Sequence, residues 1–266
     1  MRSSRLPRQR SSVSNPLALS INEVEAYTRL AGVYDEIVVD PCYSLWADFL
    51  DDLWGGESPG VRRVLDVCCG TGLMAAELAE RGYRVVGVDS ASAMLDRARQ
   101  LLGPDVHLIE ATLPDLGTDE VFDAAVSTFD GLNYLTPDDF RASIAAIATR
   151  LRPGGWLVFD LHTDAMMKFT IANPVVSGIS DGNEFEIRSD VDTGSRTCTT
   201  TIDVTRPRIG DPFTERHRQY FHSSELVRDG LIVAGFTGVR VTHEYTHEPL
   251  GSQSLRATWS ARKELG

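Results

Sequence analysis

Long hydrophobic runs are missing from this 266-residue chain: no stretch approaches the roughly 20 apolar residues that a bilayer-spanning helix requires, which excludes a helical membrane protein. Lysine is nearly absent. Lys168 and Lys263 are the only two among 26 basic side chains, and the rest are arginine. Bases are themselves outnumbered by 38 acids, for a net charge of −12. A surface of that sign repels polyanions, which sets nucleic acid aside as a partner. The four cysteines, at 42, 68, 69 and 198, form no C-x-x-C pair and no disulfide framework. A reducing compartment fits best, so the expected location is cytoplasmic. The opening MRSSRLPRQRSSVS has neither an acid nor an apolar h-region and is not a secretory signal. An organelle transit peptide, a disordered tail and a misassigned start codon all share its Arg- and Ser-rich character. Residues 1–20 are expected to be a disordered tail outside the fold.

What the chain does contain is an ordinary globular composition, 42% apolar and 24% charged, in a length able to hide roughly 70–75% of its unfolded surface. From Ile21, the segment NEVEAYTRLAGVYDEIV spaces Val24, Tyr27, Leu30, Ala31 and Tyr34 along one helical face. A second helix is predicted from Ser44 to Leu53. RRVLDVCC then reads as a buried strand, GTG as a tight turn and LMAAELAERG as a helix. The pairing of strand and helix repeats through YRVVGVD, VHLIEAT, FDAAVST and LRPGGWLVFDLH. Five strands alternating with helices predict a mainly parallel, doubly wound α/β sheet, whose ligands sit at the carboxyl ends of its strands. From about Asn183 to His222 the pattern turns polar and β-rich with no intervening helix, which predicts an antiparallel insertion of some three strands. Alternation resumes with a helix over SSELVRDGLIVAGF and two final strands. The expected division is a core of residues 21–165 and 223–266, with a β-rich substrate-side insertion over 166–222.

The sharpest chemical feature is VLDVCCGTG, residues 64–72. Glycines after a strand allow close backbone approach, and the following helix start offers free N–H groups to a ligand. Read alone as G-x-G-x-x-A, the loop would serve NAD as readily as another nucleotide. Its context is more particular. Asp66 lies within the strand, where an unpaired carboxylate is costly, so it should face a polar ligand or hydrogen-bond the glycine loop. Asp89 ends the next strand, where a carboxylate can accept both hydroxyls of a ribose.

With these residues in place, VLDVCCGTG, the strand-end acid of VGVDSASAML, FDAAVSTFDGLNYL and LRPGGWLVFD, in that order and spacing, resemble class I S-adenosylmethionine-dependent methyltransferases. The resemblance runs from about Tyr27 to Lys263. The paired elements before the first strand and the insertion after the fifth are most similar to small-molecule members, such as glycine N-methyltransferases and the N,N-dimethyltransferases of amino-sugar biosynthesis. The resemblance implies a Rossmann-like seven-stranded mixed sheet whose last strand is antiparallel, with the insertion forming a lid.

It also implies roles. Gly70 and Gly72 would lie against the methionine part of S-adenosylmethionine, Asp66 would fix the loop, Asp89 would hold the ribose, and Met94 or Leu95 would contact adenine. Where these families usually place an aspartate on the adenine amino group, this chain has Thr112, so Thr112, Leu113 or a water is left to take its place. Phe129 would pack beside the cofactor, and Tyr27, Arg29 and Trp46 match elements that close over it, although Tyr27 and Tyr34 also read as simple core. Tyr34, Asn133 and Tyr220 are candidates for substrate contact. Asn133 stands where the amino-sugar enzymes carry histidine, either as an orienting group or as a turn residue.

Candidate bases are His162, two residues from Asp160 and therefore on the same face of an extended segment, and His217 in the insertion, which matches a lid histidine. His243 and His247 would suit a metal only on a helix, and a strand is predicted there; no metal is expected. Cys68 and Cys69 read as small loop residues, with no base nearby to activate them.

The expected reaction is methyl transfer to an amine or acidic oxygen of a small molecule, in which the protein chiefly aligns the reactants. Two alternatives stay open. One is transfer or cyclisation of the aminocarboxypropyl chain with release of methylthioadenosine; the other is a non-catalytic subunit that binds the cofactor. A small-molecule substrate is the expected partner, and a homodimer is compatible with the sequence.

Overall fold

The computed structural model describes residues 26–37, 42–56 and 60–266. The expected tail over residues 1–20, and Val24 of the first expected helix, lie outside the described residues. Eleven strands run in chain order: β1 Arg63–Val67, β2 Arg84–Asp89, β3 His107–Glu110, β4 Phe122–Ser127, β5 Leu151–His162, β6 Val175–Ser180, β7 Asn183–Asp192, β8 Thr197–Arg206, β9 Phe213–Tyr220, β10 Phe236–His243 and β11 Arg256–Lys263. Seven of them form one sheet in the order β10-β11-β5-β4-β1-β2-β3, and the other four form a second sheet in the order β6-β7-β8-β9.

In the larger sheet β3, β2, β1, β4 and β5 are parallel, while β11 runs antiparallel to both β5 and β10. This is the expected mixed sheet with an antiparallel last strand. Its central strands are mostly apolar because both faces are covered. Along β1, Leu65 and Val67 join the core under helices α5 (Pro137–Thr149) and α7 (Ser224–Val233), with Phe140, Ile144 and Leu231. Val64 faces the other way, toward Trp46, Leu50, Met74 and Leu78 of α2 (Tyr43–Trp54) and α3 (Leu73–Glu80). Asp66 shares the Val64 face by the period-two rule and is fully buried there. No helix among the described residues is long and apolar enough to cross a membrane.

Within the described residues, from 26 on, the expected helix is not formed as a unit. A 3-10 turn at Leu30–Gly32 and a four-residue helix α1 (Tyr34–Ile37) replace it, and Tyr27 has a left-handed φ of 65°. The physical reason lies in β9. The buried Glu215 carboxylate accepts the backbone N–H groups of Tyr27 at 2.7 Å, Arg29 at 2.5 Å and Leu30 at 2.8 Å. Amides drawn around one carboxylate cannot also sustain a helical ladder. The antiparallel insertion holds four strands rather than three, and a helix, α6 (Asp164–Ala172), precedes it. The missed strand β6 reads VVSGIS, with no polar alternation and a central glycine, so periodicity could not find it.

Candidate functional site

At the carboxyl ends of β1, β2 and β4 lies a cavity of about 400 Å³. That volume is within the usual range for small-molecule and cofactor sites. Its floor is the loop between β1 and α3. Gly70, with φ of 55°, lines the cavity and has open space where a Cβ would stand. Gly72 has a different task. A Cβ there would lie 2.8 Å from Leu102 Cδ1 and 3.1 Å from Ala98 Cβ, so its bareness lets α3 start against α4 (Ser92–Leu102), and it is not part of the cavity wall.

Asp89 closes the loop from the end of β2. Its Oδ2 accepts the Gly70 amide at 2.8 Å and its Oδ1 the Ala91 amide at 2.9 Å. Burial raises its pKa, and these amide bonds pull the other way. The sequence reading had Asp66 fixing the glycine loop; the structure gives that bond to Asp89. Neither oxygen of Asp66 has a hydrogen-bond partner, and burial, with Asp89 nearby, pushes its pKa up to about 8. The two carboxylates are thus unequal: one is tied to the loop, the other is an orphan beneath it.

Of the other sequence candidates, Tyr27, Tyr34, Met94, Thr112, Leu113 and Phe129 lie on the cavity wall. Thr112 is exposed at its rim. Sequence reasoning missed Tyr43, Glu110 and Tyr134, which also line it. Tyr134 lies beside Asn133 in the FDGLNYL stretch without being singled out, and the fold brings it and Tyr43 to the site.

The remaining candidates stand behind the wall. Trp46 is buried, its ring 4.8 Å from that of Tyr245 and 5.9 Å from that of Phe129. Arg29 is exposed, with its guanidinium on the carbonyls of Asp211 at 2.8 Å and Pro212 at 3.2 Å. Asn133 is fully buried: its amide donates to the Tyr220 carbonyl at 2.6 Å and its oxygen accepts the His162 N–H at 3.0 Å. It therefore pins β9 to the end of β5, and Tyr220 contributes its backbone to that joint.

His162 does not pair with Asp160. Its Nε2 lies 3.5 Å from Asp130 Oδ1 instead. Asp160 is already engaged, accepting the amides of Phe129 at 2.7 Å and Asp130 at 2.8 Å and the Tyr245 hydroxyl at 2.8 Å, with Arg256 Nε at 3.1 Å. Burial raises the Asp160 pKa to about 6 against the opposing pull of Arg256. Burial acts on Asp130 too, but His162, Arg256 and Gln219 outweigh it and hold that carboxyl down at about 2. Phe129 and Asp130, both left-handed at φ of 62° and 54°, are locked by this network.

His217 is buried in β9 between two groups. Its Nδ1 is 2.9 Å from the Tyr134 hydroxyl, and its Nε2 lies 3.4 Å from Glu215 Oε2 without a hydrogen bond. Tyr27 donates its own hydroxyl to Tyr134 at 2.7 Å. The N-terminal segment, the end of β4 and the insertion sheet meet in this cluster. A second tie joins α1 to the glycine loop, where the Thr71 hydroxyl donates to Asp35 at 2.8 Å.

The donor set fits S-adenosylmethionine. The charged residues on the described wall, Asp89 and Glu110, are both acids, which suits a ligand bearing a sulfonium and an ammonium. Asp89 stands where a carboxylate can accept ribose hydroxyls.

Comparison with known proteins agrees with this geometry. Residues 64–155 match the family model described as a methyltransferase domain. The putative methyltransferase YqeM of Bacillus subtilis is 29% identical over 245 residues, covering 89% of this chain and 97% of that protein. Among solved structures, an S-adenosylmethionine-dependent methyltransferase from Clostridium acetobutylicum superposes with a TM-score of 0.78 at 20% identity, over 90% of this chain and 99% of its own. DesVI of Streptomyces venezuelae gives 0.71 at 24% identity, over 88% and 98%. At these identities the structural likeness is one of fold.

Proposed function

We propose, from the premise that this chain is a class I S-adenosylmethionine-dependent methyltransferase, that it methylates an amine or acidic oxygen of a small molecule held in the cavity above Gly70. The observation that carries this reading is the continuity of one cavity wall from the glycine loop and Asp89 to the aromatic side chains of Phe129, Tyr134, Tyr27 and Tyr34. Cofactor-binding and acceptor-binding surfaces then face one another in a single enclosure.

The cofactor supplies a methyl group already activated by its positive sulfur. The work left to the chain is to bind, align and exclude water, a contribution that can reach about 7–11 kcal/mol. Asp89 would hold the ribose and Gly70 would allow backbone approach. Met94 and Leu113 would flank the adenine, with Thr112 at the rim in place of an acid. Phe129, fixed by Asp160, would mark the boundary between cofactor and acceptor. The aromatic faces suit an acceptor that becomes cationic as the new bond forms. No Lys or Arg lies on the described wall, which favours a neutral or cationic acceptor over a phosphate-bearing one. Four free cysteines are in keeping with a reducing, cytoplasmic setting.

The test is product mass. Incubation with methyl-labelled S-adenosylmethionine and a panel of primary amines and phenols should yield S-adenosylhomocysteine and a labelled acceptor. Methylthioadenosine as the product would mean aminocarboxypropyl chemistry instead, and cofactor binding without turnover across the panel would favour a non-catalytic subunit.

A further inference from the structure

The cluster of Tyr27, Tyr134, His217 and Glu215 has a direction. Glu215 accepts three backbone amides, and although burial works against ionisation, His217 and those amides lower its pKa below the ordinary value. It is therefore an ionised group that can only accept. His217 Nε2 lies 3.4 Å from that carboxylate without a hydrogen bond to it, and placing the ring hydrogen on Nε2 keeps a nitrogen lone pair off the anion. In the neutral ring Nδ1 is then the acceptor, so the Tyr134 hydroxyl donates to it. Tyr134 has one proton and has given it, which is why Tyr27 donates to Tyr134. Every hydrogen in the series runs from Tyr27 toward Glu215, and Tyr27, which lines the cavity, keeps oxygen lone pairs to accept another.

We propose that Tyr27, Tyr134, His217 and Glu215 form a proton relay that takes the proton from an N–H or O–H acceptor in the cavity, with Tyr27 touching the acceptor and His217 holding the proton. This rests on the methyl-transfer reading above. As the acceptor's lone pair bonds to the methyl carbon, the C–S electrons leave with sulfur. The acceptor proton passes to Tyr27, that of Tyr27 to Tyr134, and that of Tyr134 to His217 Nδ1. The imidazolium is held beside Glu215, and when product leaves its proton returns along the same series to water entering the cavity.

Burial raises the pKa of both tyrosines, so neither is a store for negative charge; they pass the proton on. The left-handed backbone of Tyr27, imposed by Glu215, is the strain that sets its ring against Tyr134 and His217, with centroids 5.5 Å and 4.8 Å away. A clasp that merely joined the N-terminal segment to the insertion would need the amide bonds to Glu215, but not a hydroxyl aligned behind another hydroxyl on the cavity wall.

The test compares two ligands by calorimetry: S-adenosylhomocysteine, and sinefungin, which carries an amine where the sulfonium methyl would stand. The charged and titratable groups around the relay are Glu215 on β9, Tyr27 and Tyr34 on the N-terminal segment, Tyr134 and Asp130 after β4, and Cys198 on β8. Protonation of His217 would reverse the series and turn a donor toward the cavity, so the preference for sinefungin should be about tenfold lower in the protonated protein, read as a rise with pH. Tyr27→Phe and His217→Gln should both flatten that rise, read within each variant as the ratio of its affinities for the two ligands. Nitrogen-15 spectra of the free protein should show the Nε2–H tautomer of His217. An unchanged pH-dependent preference in both variants, or the Nδ1–H tautomer, would overturn the relay. Failure of the wild type to bind either ligand would overturn the cavity reading beneath it.

Discussion

Asp160 accepts the Phe129 amide at 2.7 Å, and this bond fixes a wall residue whose backbone is left-handed without being glycine. The same carboxylate faces Arg256, so it combines a strain-holding bond with a buried ion pair. Asp160→Ala should cost about 3–5 kcal/mol, the usual penalty for stripping one partner from such a pair. Asp160→Asn should cost less, because its amide oxygen still accepts one of the two amides. Urea unfolding measures both, and a wild-type midpoint for the alanine variant would show that Arg256 and Asp130 hold the loop without it.

Asp66 gives a pH dependence with a definite sign. Its pKa is about 8 in the fold against an ordinary 3.8, so the folded protein keeps a proton that the unfolded chain has lost between those values. Stability of the ligand-free protein should therefore fall as pH rises through that window, by about 1.4 kcal/mol per unit of pKa shift. Asp66→Asn should flatten the slope and melt several degrees above wild type at pH 8. Parallel melting curves for the two proteins across the window would mean that Asp66 is ionised and partnered.

Gly72→Ala puts a methyl group against Leu102 and Ala98 at a residue with φ of 86°. Overpacking of this kind costs about 1–3 kcal/mol, and the backbone strain adds to it. Leu102→Ala in the same chain should recover the packing part and not the backbone part. A double-mutant cycle in thermal unfolding separates them, and strict additivity would contradict the contact.

Asn133 was read from the sequence as an orienting group for catalysis or as a turn residue; its bonds to Tyr220 and His162 make it a joint between β9 and β5. Asn133→Ala should lose about 1–3 kcal/mol of stability through groups left unsatisfied. Its affinity for S-adenosylhomocysteine should stay near wild type. Lost affinity at unchanged stability would return Asn133 to the cavity.

The main sheet was legible because β1, β2 and β4 are short, mostly apolar runs bounded by turn residues, and the glycine loop and Asp89 because both lie within one strand-helix-strand unit. Glu215 was not legible. Its partners Tyr27, Arg29 and Leu30 are 185 or more residues away, and their helical spacing pointed to a helix that the carboxylate unmakes. Tyr134 escaped for the same reason, since its significance comes from Tyr27 and His217, 107 and 83 residues away. Asp66 was seen as unusual and given the bond that belongs to Asp89: a sequence shows that a buried carboxylate needs an explanation, and only the register of β1 against β2 shows which acid reaches the loop.

The central claim is that S-adenosylmethionine binds in the cavity above Gly70 with Asp89 on its ribose. Calorimetric titration of wild type and Asp89→Ala with S-adenosylmethionine, S-adenosylhomocysteine and NAD tests it most directly. The account predicts micromolar binding of both adenosyl ligands to wild type, silence from NAD, and loss of at least about tenfold in affinity in the variant, as expected for removing a charged hydrogen-bond acceptor. Binding of the adenosyl ligands to Asp89→Ala with wild-type affinity would contradict it.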